Sequence, residues 1–206
     1  MVKLKICGMK FPENIAKISS IDPAYMGFIF YPASKRFLAD LDPDLVKAIP
    51  RKIKTTGVFV NEELTVVKER IVRYGLQAVQ LHGNESPEYC ASLSGTAEVI
   101  KAFGIDDQFN FNILERYVDA VDYFLFDTQT PGYGGSGKTF SWQLLEKYKL
   151  SKPYFLSGGI GMDQLPDLQQ LSHPLCYAID VNSRFEDSPG WKDETLLKLF
   201  KLSLGC

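Results

Sequence analysis

The stretch TTGVFVNEELTVVKERIVRYG, residues 55–75, decides the fold. It opens on a β-branched, apolar run from Thr55 to Val60, which predicts a strand buried on both faces. Asn61 follows as a candidate N-cap before Glu62 and Glu63. Leu64, Val67 and Ile71 then recur at helical spacing, and Gly75 is placed to end the helix. One strand and one helix fit into 21 residues.

The same unit repeats along the chain. Apolar runs stand at KLKIC (3–7), YMGFIF (25–30), AVQLH (78–82), EVIKAF (98–103), YFLFD (123–127), YFLSG (154–158) and YAIDV (177–181). With the central run this makes about eight strands, whose starts lie roughly 20 to 31 residues apart. Helical segments separate them. Ser86-Pro87 reads as an N-cap followed by proline at the first helical position. Ser141 is placed to open a helix over WQLLEKY, and Asp193 to cap the closing segment ETLLKLFKLSL. A βα alternation of this kind closes into a barrel or opens into a doubly wound sheet. Eight units in 206 residues fit the compact end of the barrel range. The expectation is α/β, a single (β/α)8 barrel domain over residues 1–206, with no linker to mark a second domain.

Composition narrows the function. Of the residues, 45% are hydrophobic and 23% charged, and 23 basic against 25 acidic side chains leave a net charge of −2. That balance offers no strong field for a polyanion, so nucleic acid and anionic membrane surfaces are not expected partners. No run reaches the ~18 apolar residues of a membrane span, and MVKLKICGMK is too short and too broken by lysine for a signal peptide. A cytoplasmic address and a monomer are the expectations. Cys7, Cys90, Cys176 and Cys206 form no C-x-x-C pair, and two histidines are too few for a histidine-built metal site. No metal and no cofactor is expected.

The chemistry gathers after the strands, where a barrel builds its active site. Cys7-Gly8, Ser34-Lys35-Arg36, Asn61, His82-Gly83, Asp127, Ser157-Gly158-Gly159 and Asp180 through Ser183 would all converge on one mouth. Cys7 reads either as a nucleophile or base, or as a buried small hydrophobe. Asp127 ends an apolar strand, where an idle carboxylate is costly, so it needs a partner or a task. Arg36 is suited to clamp a carboxylate, the alternative being a solvated loop charge. His82 is either a satisfied strand-end histidine or part of the site. The paired glycines Gly158 and Gly159 let backbone N–H groups approach an anion, and loops after strands seven and eight of barrels frequently hold phosphate.

Gly132 to Thr139, GYGGSGKT, matches the nucleotide-binding pattern G-x-x-x-x-G-K-[ST]. A small P-loop NTPase is therefore a second reading. The context opposes it: Thr128-Gln129-Thr130-Pro131 separates strand from glycines, and the helix is placed at Ser141 rather than at the lysine. A glycine-rich loop over the barrel mouth fits better.

These pieces together resemble the phosphoribosylanthranilate isomerase family, along essentially the whole chain. The resemblance rests on KICGM, GFIFYPASKRF, GVFVN, VQLHG, FDTQTPGYGGSGKTFSW, LSGGI, AIDVNSRFE and PGWKD, in that order. It implies a cofactor-free Amadori rearrangement of N-(5-phosphoribosyl)anthranilate, an aminoaldose, to an aminoketose in tryptophan biosynthesis. It further implies Cys7 as general base, Asp127 as general acid, and Arg36 on the anthranilate carboxylate. His82 would line the substrate, with Gly158, Gly159, Asn182 and Ser183 around it and the phosphate. Such chemistry calls for a carboxylic acid with a raised pKa and a thiol with one lowered by nearby cations or N–H groups. The histidine-pathway isomerase performs the same rearrangement but resembles a two-aspartate design, and here the strand-one position is Cys7. The family commonly reads Ser-Gly-Val-Glu after strand eight, whereas this chain reads Ser183-Arg184-Phe185-Glu186. An arginine there requires φ < 0 or carries strain, and its side chain faces solvent or leans over the phosphate.

Overall fold

In the computed structural model, which describes residues 2–129, 140–170 and 173–205, the eight expected strands are all present. They are β1 (Lys3–Ile6), β2 (Tyr25–Ile29), β3 (Lys54–Phe59), β4 (Ala78–Leu81), β5 (Glu98–Ile105), β6 (Tyr123–Thr128), β7 (Tyr154–Leu156) and β8 (Cys176–Val181). Each pairs in parallel with its sequence neighbour, and β8 returns to β1 through the register Lys5↔Asp180 to close the barrel. Parallel pairing hides both faces of every strand, which is why the runs read as nearly continuous apolar sequence.

The helices α1 (Pro12–Ser19), α2 (Pro43–Lys47), α3 (Leu64–Tyr74), α4 (Pro87–Ala91), α5 (Leu165–Gln170) and α6 (Glu194–Leu204) cover the barrel. Ser86 Oγ accepts from the Tyr89 N–H and Asp193 Oδ1 from the Leu196 N–H, so both expected caps are in place. Gly75 ends α3 in the left-handed region, at φ 62°. Two expectations fail. Asn61 is not the cap of α3, a position taken by Glu63 without a side-chain bond. Asn61 instead turns at φ 50° and its Oδ1 accepts from the Asn84 N–H at 2.6 Å, tying the loop after β3 to the loop after β4. Ser141 opens only a 3-10 segment, Trp142–Lys147, and makes no side-chain cap bond. A second 3-10 segment, Phe111–Tyr117, stands between β5 and β6.

The main core lies between barrel and helices, built on residues such as Ile6, Phe28, Phe59, Phe124, Phe126 and Leu197. A smaller cluster of Tyr25, Ala78, Ile100, Ala102, Leu125, Phe155 and Ala178 packs separately from it. Near the strand starts, Tyr25 Oη donates to Glu98 Oε1 at 2.7 Å and Lys3 Nζ to Tyr177 Oη at 2.7 Å, forming a polar group that the sequence reading did not foresee. Also unforeseen is an antiparallel hairpin, β9 (Glu186–Ser188) with β10 (Trp191–Lys192). Asn14 on α1 clamps it through both backbone groups of Lys192, at 2.8 and 2.9 Å.

Candidate active site

Side chains two residues apart on a strand share a face. Cys7 therefore lies above Lys5, His82 above Gln80, and Asp127 above Leu125. The loops after the strands complete a cavity of about 90 Å³ that opens to solvent. Cys7, Arg36, His82, Asp127, Gly158, Gly159, Asn182 and Ser183 all line it, so the structure brings every expected site residue to one mouth. Gly132 to Thr139, the P-loop match, falls outside the described residues.

Cys7 is 4% exposed. Burial pushes its thiol above the usual cysteine value. Lys5 and Lys192 pull it down, but Asp180 opposes them and the net shift is upward. The expected lowered thiol is thus corrected: the cations are present, but loss of water outweighs them.

Lys5 is fully buried and donates to Asp180 Oδ1 and Gln80 Oε1, both at 2.8 Å. Burial works against its charge, yet Asp180 and Cys7 outweigh that and hold its pKa above the lysine value. Gln80 Nε2 stands 2.8 Å from His82 Nδ1, and His82 Nε2 stands 3.4 Å from Asp127 Oδ2. The other oxygen of Asp127 accepts from the Thr128 N–H at 2.8 Å. Beneath the loop after β4, Lys101 donates to the carbonyl of Gly83 at 2.8 Å and pairs with Glu85 at 3.2 Å. Glu85 Oε1 accepts the Asn61 N–H at 2.8 Å, so the loops carrying His82 and Asn61 are held together.

Arg36 reaches the mouth from the loop after β2. Its Nε lies 2.8 Å from Glu186 Oε1, and its Nη2 lies 2.6 Å from Glu186 Oε2. This two-point contact uses one edge of the guanidinium, and among the described residues Nη1 is left for another anion. Glu186 also accepts from Lys192 Nζ at 2.6 Å, and the same ammonium donates to Asn182 Oδ1 at 2.6 Å. Burial raises the Glu186 carboxyl, but the Arg36 hydrogen bonds and Lys192 hold it below its ordinary value. Burial lowers Lys192 to about 8 in spite of Glu186. Gly8 makes this crowding possible: at φ 79°, a Cβ on it would sit 2.6 Å from Arg36 Cδ and 2.7 Å from Asn182 Oδ1.

Gly158 and Gly159 follow β7 at φ 98° and 63°, turning the backbone across the mouth. Arg184 has an ordinary negative φ, so it carries no strain. Its Nη2 pairs with Asp163 Oδ2 at 2.6 Å, with the two side chains 42% and 56% exposed. Neither expected arrangement holds alone: the arginine lies at the rim, lines the cavity and is tied to a carboxylate. The residues missed from sequence are Lys5, Gln80, Asp180 as a lysine partner, Glu186 and Lys192. A charge or amide inside a short apolar strand, on the same parity as Cys7 or His82, was the signal for the first two. For the hairpin it was Ser188-Pro189-Gly190, a turn signal ahead of Trp191.

A closed eight-stranded barrel with its polar groups gathered at the C-terminal mouth defines a (β/α)8-barrel enzyme. The sequence model of the N-(5'-phosphoribosyl)anthranilate (PRA) isomerase family matches residues 4–201. The N-(5'-phosphoribosyl)anthranilate isomerase of Parabacteroides distasonis is 42% identical over 203 residues, covering 96% of this chain and 90% of the relative. Among solved structures, the phosphoribosyl anthranilate isomerase of Thermus thermophilus superposes with a TM-score of 0.85 at 26% identity, covering 99% and 98% of the two chains. A phosphoribosyl anthranilate isomerase in complex with reduced 1-(o-carboxyphenylamino)-1-deoxyribulose 5-phosphate does so at 0.79 and 31%, covering all of both chains. The chain belongs to the N-(5'-phosphoribosyl)anthranilate isomerase family. It is an isomerase of tryptophan biosynthesis acting on a small phosphorylated substrate, which sets aside the NTPase and histidine-pathway readings. No helix among the described residues is long and apolar enough to cross a membrane.

Proposed function

We propose that Cys7 is the general base and Asp127 the general acid of the rearrangement. The observation that carries this is the meeting of a buried thiol and the strand-end carboxyl of Asp127 on one cavity whose rim holds Arg36. Asp127 gives its proton to the furanose oxygen as the C1′–O bond breaks. The anilino nitrogen supplies the electron pair and becomes a protonated imine. That cation acidifies the C2′ hydrogen, which the Cys7 thiolate removes, and the resulting enol-amine tautomerises to the ketone. Lys5 and Lys192 favour the thiolate. The Nη1 of Arg36 holds the anthranilate carboxylate, with His82 beside the substrate. Gly158, Gly159, Asn182 and Ser183 receive the phosphate. No metal or cofactor enters the scheme. The chain acts as one barrel domain over 1–206, as a monomer, in the cytoplasm.

The test follows loss of anthranilate-type fluorescence from freshly made phosphoribosylanthranilate. Cys7→Ala and Asp127→Asn should each lower kcat by at least ~10²-fold with little change in Tm. Because burial raises the thiol, kcat/KM of the wild type should climb with pH toward a limb above the ordinary cysteine range. Near-normal turnover of either variant removes that residue from its role. Light scattering at assay concentration checks the monomer, and a doubled mass would refute it.

A further inference from the structure

We propose that Gln80 is a positioning residue for the acid: it fixes which ring nitrogen of His82 carries the proton and so aims an N–H at Asp127. This rests on the reading of Asp127 as acid. The argument starts at Lys5, whose ammonium has only donors. Gln80 stands 2.8 Å from it, so the amide must present its oxygen there; the reverse orientation would set donor against donor. The amide nitrogen is then turned to His82 Nδ1 at 2.8 Å, and it too can only donate. Nδ1 is therefore an acceptor, and the neutral ring carries its proton on Nε2. That nitrogen faces Asp127 Oδ2 at 3.4 Å.

At 3.4 Å the ring N–H sits just beyond ordinary hydrogen-bond range of Asp127, a distance that a small rotation of either side chain closes. The other oxygen of Asp127 already accepts the Thr128 N–H. With His82 donating, both oxygens are satisfied in the carboxylate that remains after the proton has gone to the ring oxygen. The donor is thus worth most as charge develops, which places its effect on kcat rather than on KM. Gln80 is 2% exposed and Lys5 fully buried, so the amide is largely shielded from solvent. Cys7 and Asp127 are in this way tied through one chain of side chains: Lys5 serves the base directly and the acid through Gln80 and His82.

The chain has two histidines, so a long-range 1H–15N spectrum of the labelled protein resolves both, with His173 as internal control. His82 should be the Nε2–H form in the wild type. Gln80→Met, close in volume, should mix the two forms and lower kcat roughly ten- to a hundredfold with KM little changed. Gln80→Glu keeps the acceptor for Lys5 but places a carboxylate on Nδ1, so the proton should move to Nδ1 and kcat should fall as well. An Nδ1–H ring in the wild type overturns the proposal, a measurement that needs no variant to fold. So does a Gln80→Met protein with an unchanged ring, or one with a mixed ring and wild-type kcat. Failure of Asp127 as acid is distinct: it shows as an active Asp127→Asn protein, while the ring spectrum stays as proposed.

Discussion

Glu186→Gln removes the one anion that stands between Arg36 and Lys192. Breaking a buried ion pair typically costs about 3–5 kcal/mol, because it leaves an uncompensated charge. Here the cost is capped on the lysine side. Lys192 is fully buried and its pKa is about 8 even with Glu186 present. At pH 7 that is about one unit above the solvent, so losing the proton costs only on the order of 1 kcal/mol. Arg36 cannot escape in this way, but its side chain is 16% exposed and the glutamine oxygen still accepts one N–H. Its loss lies at the low end of the ~1.5–3 kcal/mol of a charged hydrogen bond. The sum is about 3 kcal/mol at pH 7. The sign with pH follows from linkage. Lys192 has a folded pKa of about 8 below its unfolded value of 10.5, so the unfolded chain holds more protons in that window. Wild-type stability therefore gains from this group as pH rises from 8 toward 10.5. In the variant the folded lysine is already neutral at pH 7, so its gain begins earlier. The gap between the two proteins should narrow by about 1 kcal/mol between pH 7 and pH 9. Urea unfolding at both pH values measures it, and KM should rise because Arg36 loses its fixed edge. A gap equal or wider at pH 9 would refute a charged Lys192 leaning on Glu186.

Gly158→Ala places a Cβ 2.3 Å from Thr128 Oγ1 at a φ of 98°, so it should cost about 1–3 kcal/mol and disturb Asp127 beside it. Thermal melts and kcat read the two effects, and wild-type values for both would show that the turn has slack. Arg184→Ala should change KM less than twofold at low ionic strength, since the side chain is exposed and tied to Asp163. A tenfold rise that shrinks with added salt would return Arg184 to the phosphate.

The barrel was legible because it is written as a repeated period. Residues 55–75 carry a strand, a helix and its stop, and the same spacing recurs along the chain. The mouth was legible because topology puts every strand end on one rim, so Cys7, His82 and Asp127 needed no contact information to be grouped. Caps were readable where they are local: Ser86 and Asp193 satisfy N–H groups three residues on. Asn61 was misread because its partner is Asn84, 23 positions away, and no periodicity records such a bond. The thiol of Cys7 was misjudged for a related reason. A need for nearby cations could be stated from the chemistry, but the depth of burial that outweighs Lys5 and Lys192 belongs to packing.

What lies beneath the mouth follows from parity and gives the site its asymmetry. Two residues before Cys7 stands Lys5, and two before Asp127 stands Leu125, each on the same face as its partner. The base rests on a cation that Asp180 and Gln80 hold in place. The acid rests on a member of the small apolar cluster with Phe155 and Ala102. Support for Asp127 must therefore come from the side, and its two lateral neighbours are the Thr128 N–H and His82. Exchanging these layers would place an apolar group under the thiolate and a fixed cation under the group that must keep its proton. A lysine inside KLKIC and a leucine inside YFLFD are thus as much a part of the acid–base division as the two residues above them.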